Sequence, residues 1–188
     1  MSLLVVGLAL FFLTHLLPVL PAVRAGLVTR WGEQRYKGLF SLLSGVGLVL
    51  IIAGYFTASR GAQLFAPFPA ARAAAPYAMT VAFILLAASH SRSHIRATLK
   101  HPMLIGVLIW GTVHLLANGD LRGSALFGAF VAFAIIDLIS AVRRGAVASF
   151  APSLRGDVVS IVAGTAVALL VMTFHRTIFG VPVVSFGY

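Results

Sequence analysis

Six mostly apolar stretches run through the chain, at about 2 to 23, 38 to 58, 73 to 90, 102 to 121, 122 to 142 and 157 to 176. A helix needs roughly 20 apolar residues to cross about 30 Å of hydrocarbon, and each stretch comes close to that length. In lipid every backbone polar group must be satisfied within the segment or by closure into a barrel, and the period-two alternation of a barrel is absent. The expected fold class is therefore all-α: a polytopic membrane helical bundle of about six transmembrane helices, with residues 1–188 as a single domain. The composition agrees, being 60% hydrophobic and only 10% charged. Only a tight turn, Asn118 to Gly123, separates the fourth stretch from the fifth, so one of the two is expected to be tilted or short.

The first stretch has some look of a secretory signal, because "AVRA" before Gly26 loosely suggests a cleavage site. Met1 and Ser2 supply no basic region and the apolar run is long, so a retained helix is expected. A net charge of +10 would point to nucleic acid in a soluble protein. Here the basic residues sit in the connections between spans. Ten of them (Arg24, Arg30, Arg35, Lys37, Arg92, Arg96, Lys100, Arg143, Arg144 and Arg155) fall in the first, third and fifth loops, against four on the other side (Arg60, Arg72, Arg122 and Arg176). The positive-inside rule then puts the odd loops in the cytoplasm and both termini outside. The absence of cysteine excludes a disulfide, a thiolate metal site and a cysteine nucleophile.

Small residues recur four apart at Ser41 and Gly45, Gly54 and Ala58, Gly128 and Ala132, and Gly164 and Ala168. Such pairs let helices approach closely in lipid, and packing within the bundle outweighs a homodimer face as their reading. Residues 61 to 75, with Pro67, Phe68 and Pro69, are expected to form a loop at the outer interface, and Pro18 and Pro21 to kink the inner end of the first helix.

Of the six histidines, only His15 and His114 lie well inside spans. A polar side chain at that depth is costly and usually faces the bundle interior or a cavity. His101 and His114, thirteen residues apart, point about 140° away from each other and cannot serve one pocket. His114 shares its face with Trp110, Gly111 and Asn118, and Gly111 leaves space beside the imidazole. Phe11, Phe12 and Leu8 frame His15, so both imidazoles suit the axial positions of a haem, although hydrogen bonding to a neighbouring helix would suit them as well. Along the membrane normal the two differ in depth by about 10 Å.

"SHSRSHIRATLKHP" gathers His90, Arg92, His94, Arg96, Lys100 and His101. His90 and His94 would share a helical face at i, i+4, but no acidic or sulfur ligand lies nearby in sequence to complete a metal shell. A solvated basic loop that fixes topology is the first reading, and Arg92 and Arg96 could also pair with an anionic headgroup or haem propionates. Asp137, the sole acid inside a span, is expected to make a structural bond to a histidine or arginine, or to relay protons. Glu33 balances local charge, and Asp157 suits the N-cap or first turn of the last helix. No Walker loop, GxSxG elbow or zincin pattern appears, which argues against soluble-type hydrolases and nucleotide-dependent enzymes.

"HPMLIGVLIWGTVHLLANGD", with "HLLPVLPAVR" and "RWGEQRYKGLFSLLS", resembles the NnrU family of small bacterial membrane proteins over nearly the whole chain. That family is associated with denitrification gene clusters and is similar to zeta-carotene isomerase, a haem b membrane protein. The resemblance implies axial ligands at His15 in "THLLP" and His114 in "WGTVH". The isomerase carries a cysteine three residues before the second histidine; Gly111 stands there in this chain, so a thiolate-switch mechanism does not transfer. A weaker resemblance joins "KHPMLIG" to the "RHPxYxG" element of S-adenosylmethionine-dependent membrane methyltransferases, whose later glutamate has no counterpart after Glu33.

The leading expectation is thus an inner-membrane haem b protein with His15 and His114 as metal ligands and with Gly111, Arg92 and Arg96 around the cofactor. Its role would be redox or nitrogen-oxide-linked, or the isomerisation of an apolar polyene, which leaves open whether it is an enzyme. The alternative is a non-enzymatic transport or assembly factor with a buried His/Asp network. The expected partners are the lipid bilayer, an apolar small molecule or redox partner, and a second copy of the chain, with no nucleic acid.

Overall fold

The computed structural model describes residues 1–181 and 183. Eight helices follow in order: α1 (Ser2–Leu16), α2 (Pro21–Trp31), α3 (Glu33–Thr57), α4 (Pro69–Ala88), α5 (His94–Leu99), α6 (Pro102–Asn118), α7 (Leu121–Arg143) and α8 (Leu154–Phe179). Among the described residues the sole β feature is an isolated antiparallel bridge between Gln63 and Asp120. Four helices, α3, α4, α7 and α8, are long and apolar enough to cross a membrane. The first apolar stretch is a bent pair instead, because Pro18 and Pro21 interrupt the backbone ladder and α2 leaves α1 at 87°. The fourth is a shorter apolar helix of 17 residues, bounded by Pro102 at its first position and by Gly119 in the left-handed region (φ 72°) at its end. The loop expected over 61 to 75 is shorter than that, since Pro69 opens α4.

The chain divides into two compact units. One comprises residues 1–64 and 120–129. Its main contact is between α1 and α3, and glycine makes it possible. A methyl group at Gly7 would meet the Ile51 nitrogen at 2.6 Å, one at Gly47 would meet the Phe11 nitrogen at 2.9 Å, and one at Gly54 would collide with the backbone of Leu4. Apolar burial gives little driving force in lipid, so such backbone-to-backbone approach supplies the dispersion that holds the pair. Of the Gly54 and Ala58 pair, Gly54 lies in this contact, and both residues are buried. Asp120 accepts the Gly123 amide at 2.8 Å at the start of α7. Arg122 then donates to the carbonyls of Tyr55 and Ala58, both at 3.0 Å, and closes the C-terminal end of α3.

The other unit comprises residues 65–119 and 130–188, of which Pro182 and 184–188 lie outside the described residues. Here α4 packs against both α6 and α8. Gly106 of α6 rests near the Ala82 carbonyl, and Gly164 of α8 meets the backbone of Ile84, with Ala168 fully buried one turn later. The remaining small pairs behave differently, since nothing lies within 4 Å of a methyl group at Gly45 or Gly128. Phe68 donates its amide to Leu116 at 3.0 Å and Arg72 its Nε to Ala117 at 3.1 Å, which caps the end of α6.

Candidate functional site

His114 lies in the last turns of α6, half-buried. Its Nδ1 is 2.8 Å from the carbonyl oxygen of Trp110 one turn earlier. A carbonyl only accepts, so Nδ1 carries the proton and the lone pair of the neutral ring sits on Nε2. Metal-binding histidines are commonly oriented this way, with the far nitrogen donating to a backbone oxygen. Around the ring, Trp110 stands 5.4 Å away and in turn meets Phe130 edge-on at 5.3 Å, while Asn118 donates its side-chain amide to the His114 carbonyl at 2.6 Å. Gly111 is buried beside it.

Sequence reading passed over one neighbour. His175 of α8 lies 6.4 Å from His114, centre to centre, and its Nδ1 donates to the Val181 carbonyl at 2.7 Å. It too therefore keeps its lone pair on Nε2. Its position near the end of a span hid it, because depth was the criterion and no sequence signal pairs α6 with α8.

In the other unit, His15 repeats the local geometry of His114. Its Nδ1 is 2.8 Å from the Phe11 carbonyl, Phe11 stacks on it at 4.0 Å, and the ring of Phe40 stands 5.3 Å away. The aromatic wall expected from Phe11 is present, with α3 adding Phe40. Both sequence-selected imidazoles thus hold the same tautomer by an i−4 backbone bond. Among the described residues no group of three or more His, Asp or Glu side chains is arranged to hold a bare metal ion.

The basic segment is organised otherwise than its i, i+4 spacing suggests. α4 ends at Ala88, His90 lies in a turn and His94 opens α5, so His90 and His94 do not share a helix. The acid that the local sequence lacks arrives from α8: Oδ2 of Asp157 lies 2.6 Å from Nδ1 of His94, and Oδ1 accepts the Ile95 amide at 3.2 Å. Asp157 occupies the first turn of α8 behind an N-cap, Ser153, that accepts the Gly156 amide. Beneath it, Ser93 and Ser160 are fully buried, and Ser160 exchanges a 2.8 Å bond with Ser91. The carbonyl of Arg92 accepts the Ser153 amide at 2.8 Å, and a methyl group at Gly156 would meet that same carbonyl oxygen at 2.5 Å. The corner is held by small residues and hydroxyls at close range.

Arg92 is exposed, while the guanidinium of Arg96 donates to the Ser91 carbonyl at 3.4 Å and lies 5.0 Å over the ring of Phe150. Asp137 has Arg144 at 3.9 Å, and Glu33 has Lys37 at 2.8 Å, as local charge balance requires.

A family model described as "NnrU protein" matches residues 3–183. No curated protein and no solved structure matches the chain.

Proposed function

The chain belongs to the NnrU family, and we propose that it is a membrane haem b protein in which His114 supplies an axial imidazole. The observation that carries this reading is the Nδ1 bond to Trp110, which sets the tautomer and turns the lone pair of the ring onto Nε2, as in metal-binding histidines. His15, held in the same tautomer by Phe11, is the second ligand in this reading, and His175 is its competitor within the unit of His114. Bound haem would supply reversible one-electron chemistry, and a diatomic gas such as nitric oxide would bind it only by displacing one of the two imidazoles.

The protein's own residues do the rest. Trp110 and Asn118 fix the ring and the carbonyl of His114, Gly111 withholds bulk next to it, and the rings of Phe11 and Phe40 pack on His15. Twelve residues of α6 separate Pro102 from His114, about 18 Å of rise, so the assignment of Arg92 and Arg96 to the propionates rests on their charge alone. The role that follows is redox or nitrogen-oxide-linked chemistry in the inner membrane, with haem-assisted isomerisation of a polyene as its variant. The apolar helices suit a bilayer, and the arginine and lysine bias of the odd loops supports a cytoplasmic α5 corner with both termini outside.

The transport or assembly alternative relies on a buried network of His15, His114 and Asp137, and Asp137 already has a cation in Arg144. Absorption spectroscopy of the purified, haem-supplemented protein decides between the readings. A low-spin Soret band is expected in the wild type and its loss in His114→Ala; a wild type that never acquires the band removes the haem reading.

A further inference from the structure

Between α5 and α6 the chain turns through Lys100, whose φ of 63° is the sole positive value at a non-glycine among the described residues. The turn borders a cavity of about 220 Å³ lined by Ser89, Arg96, Lys100, His101, Met103 and Leu104. Three of these side chains are basic. Among the described residues no ion pair joins Arg96, Lys100 or His101 to a carboxylate. Within the same unit Asp157 is bonded to His94 and Asp137 stands by Arg144, so neither offsets this charge. The backbone adds to the field: His101 makes no side-chain cap on α6 and Pro102 has no N–H, while Met103 and Leu104 are first-turn residues whose amides have no intrahelical acceptor.

We propose that this cavity binds the phosphate headgroup of an anionic phospholipid. A phosphodiester oxygen can take charge-assisted bonds from the Arg96 guanidinium and the Lys100 ammonium. Apart from Ser89 the remaining wall is apolar, with Pro102, Met103, Leu104, Ala146 and Ala148, and from here α6 continues as an apolar helix. A headgroup on the basic side would therefore leave its acyl chains beside hydrocarbon-seeking residues. Inorganic phosphate shares the headgroup chemistry but gains nothing from that second wall, so the lipid is the occupant. Basic pockets at the cytoplasmic ends of membrane helices bind anionic headgroups by this combination. In this assignment Arg96 serves the headgroup in place of a haem propionate, so the site does not depend on whether haem is bound.

The full-length protein, delipidated in a neutral detergent, can be offered phosphatidylglycerol, phosphatidylcholine or inorganic phosphate and followed by native mass spectrometry and thermal unfolding. The expected result is retention of one phosphatidylglycerol with a raised Tm, at least tenfold weaker retention of phosphatidylcholine, and no Tm change with millimolar phosphate. Arg96→Gln/Lys100→Gln, and Lys100→Gln alone to a lesser degree, should lower phosphatidylglycerol retention at least tenfold. The control Arg35→Gln/Lys37→Gln removes two charges in the other unit and should leave it unchanged. Equal retention of the two lipids by the wild type, or undiminished retention by Arg96→Gln/Lys100→Gln, overturns the proposal. A Tm rise with inorganic phosphate that matches the lipid's overturns the lipid assignment.

Discussion

His114 and His175 stand 6.4 Å apart, ring centre to ring centre, on two helices of the same unit, and each donates its Nδ1 proton to a backbone carbonyl. Two imidazoles with their lone pairs on Nε2 therefore occur where sequence depth had selected one. The sequence-selected ligand pair is His15 and His114, and the variants can be ranked on that basis. His15→Ala is expected to abolish the six-coordinate low-spin spectrum, whereas His175→Ala should leave it. The opposite order in the absorption or electron paramagnetic resonance spectra would transfer the second ligand to His175.

Gly54→Val places a branched side chain against the backbone of Leu4, which has no flexible end to give way. A loss of about 3 kcal/mol is expected in unfolding from mild detergent, at the upper end of overpacking costs. Gly45→Val, with nothing within 4 Å, should change stability by less than about 0.5 kcal/mol. Similar losses for the two variants would mean that α1 and α3 do not meet at Gly54.

Arg122 holds two carbonyls at the end of α3 and lies 4.3 Å over the Tyr55 ring. Removing a charged donor from two acceptors costs about 2 kcal/mol or more. Arg122→Ala should show that loss by thermal unfolding. Arg122→Lys should recover part of it, since an ammonium can reach one acceptor but lacks the planar fork.

Asp157 accepts from the His94 ring and from the backbone amides of His94 and Ile95, so losing the carboxylate removes all of these bonds while losing the imidazole removes one. Limited proteolysis at the α5 turn should therefore rise more in Asp157→Ala than in His94→Ala. Gly156→Ala should open the same corner, because the new methyl group would meet the Arg92 carbonyl. Unchanged cleavage in all three would contradict the close approach of α5 to α8.

Much of the architecture is legible in the sequence, because membrane helices declare themselves by length. The stretches at 38 to 58, 122 to 142 and 157 to 176 became α3, α7 and α8 with ends shifted by a few residues. Pro18 and Pro21 carried the break after Leu16, although not its angle of 87°, which depends on what α2 packs against. Glycine spacing marked Gly54 and Gly164 as contacts but also marked Gly45 and Gly128, where among the described residues nothing lies within 4 Å of an added methyl group; spacing says that a backbone can approach, not that one does. His114 stood out by its depth, and so did His15. His175 did not, and Asp157 could not be matched to His94, sixty-three positions away, because tertiary pairing leaves no local trace.

The central claim is that His114 coordinates haem, and the most direct measurement is the Soret region of the purified protein after haem supplementation, wild type beside His114→Ala and His114→Gln. The account predicts a low-spin band in the wild type and its loss in both variants, with helix content by circular dichroism unchanged. An intact low-spin spectrum in a folded His114→Ala protein would contradict it.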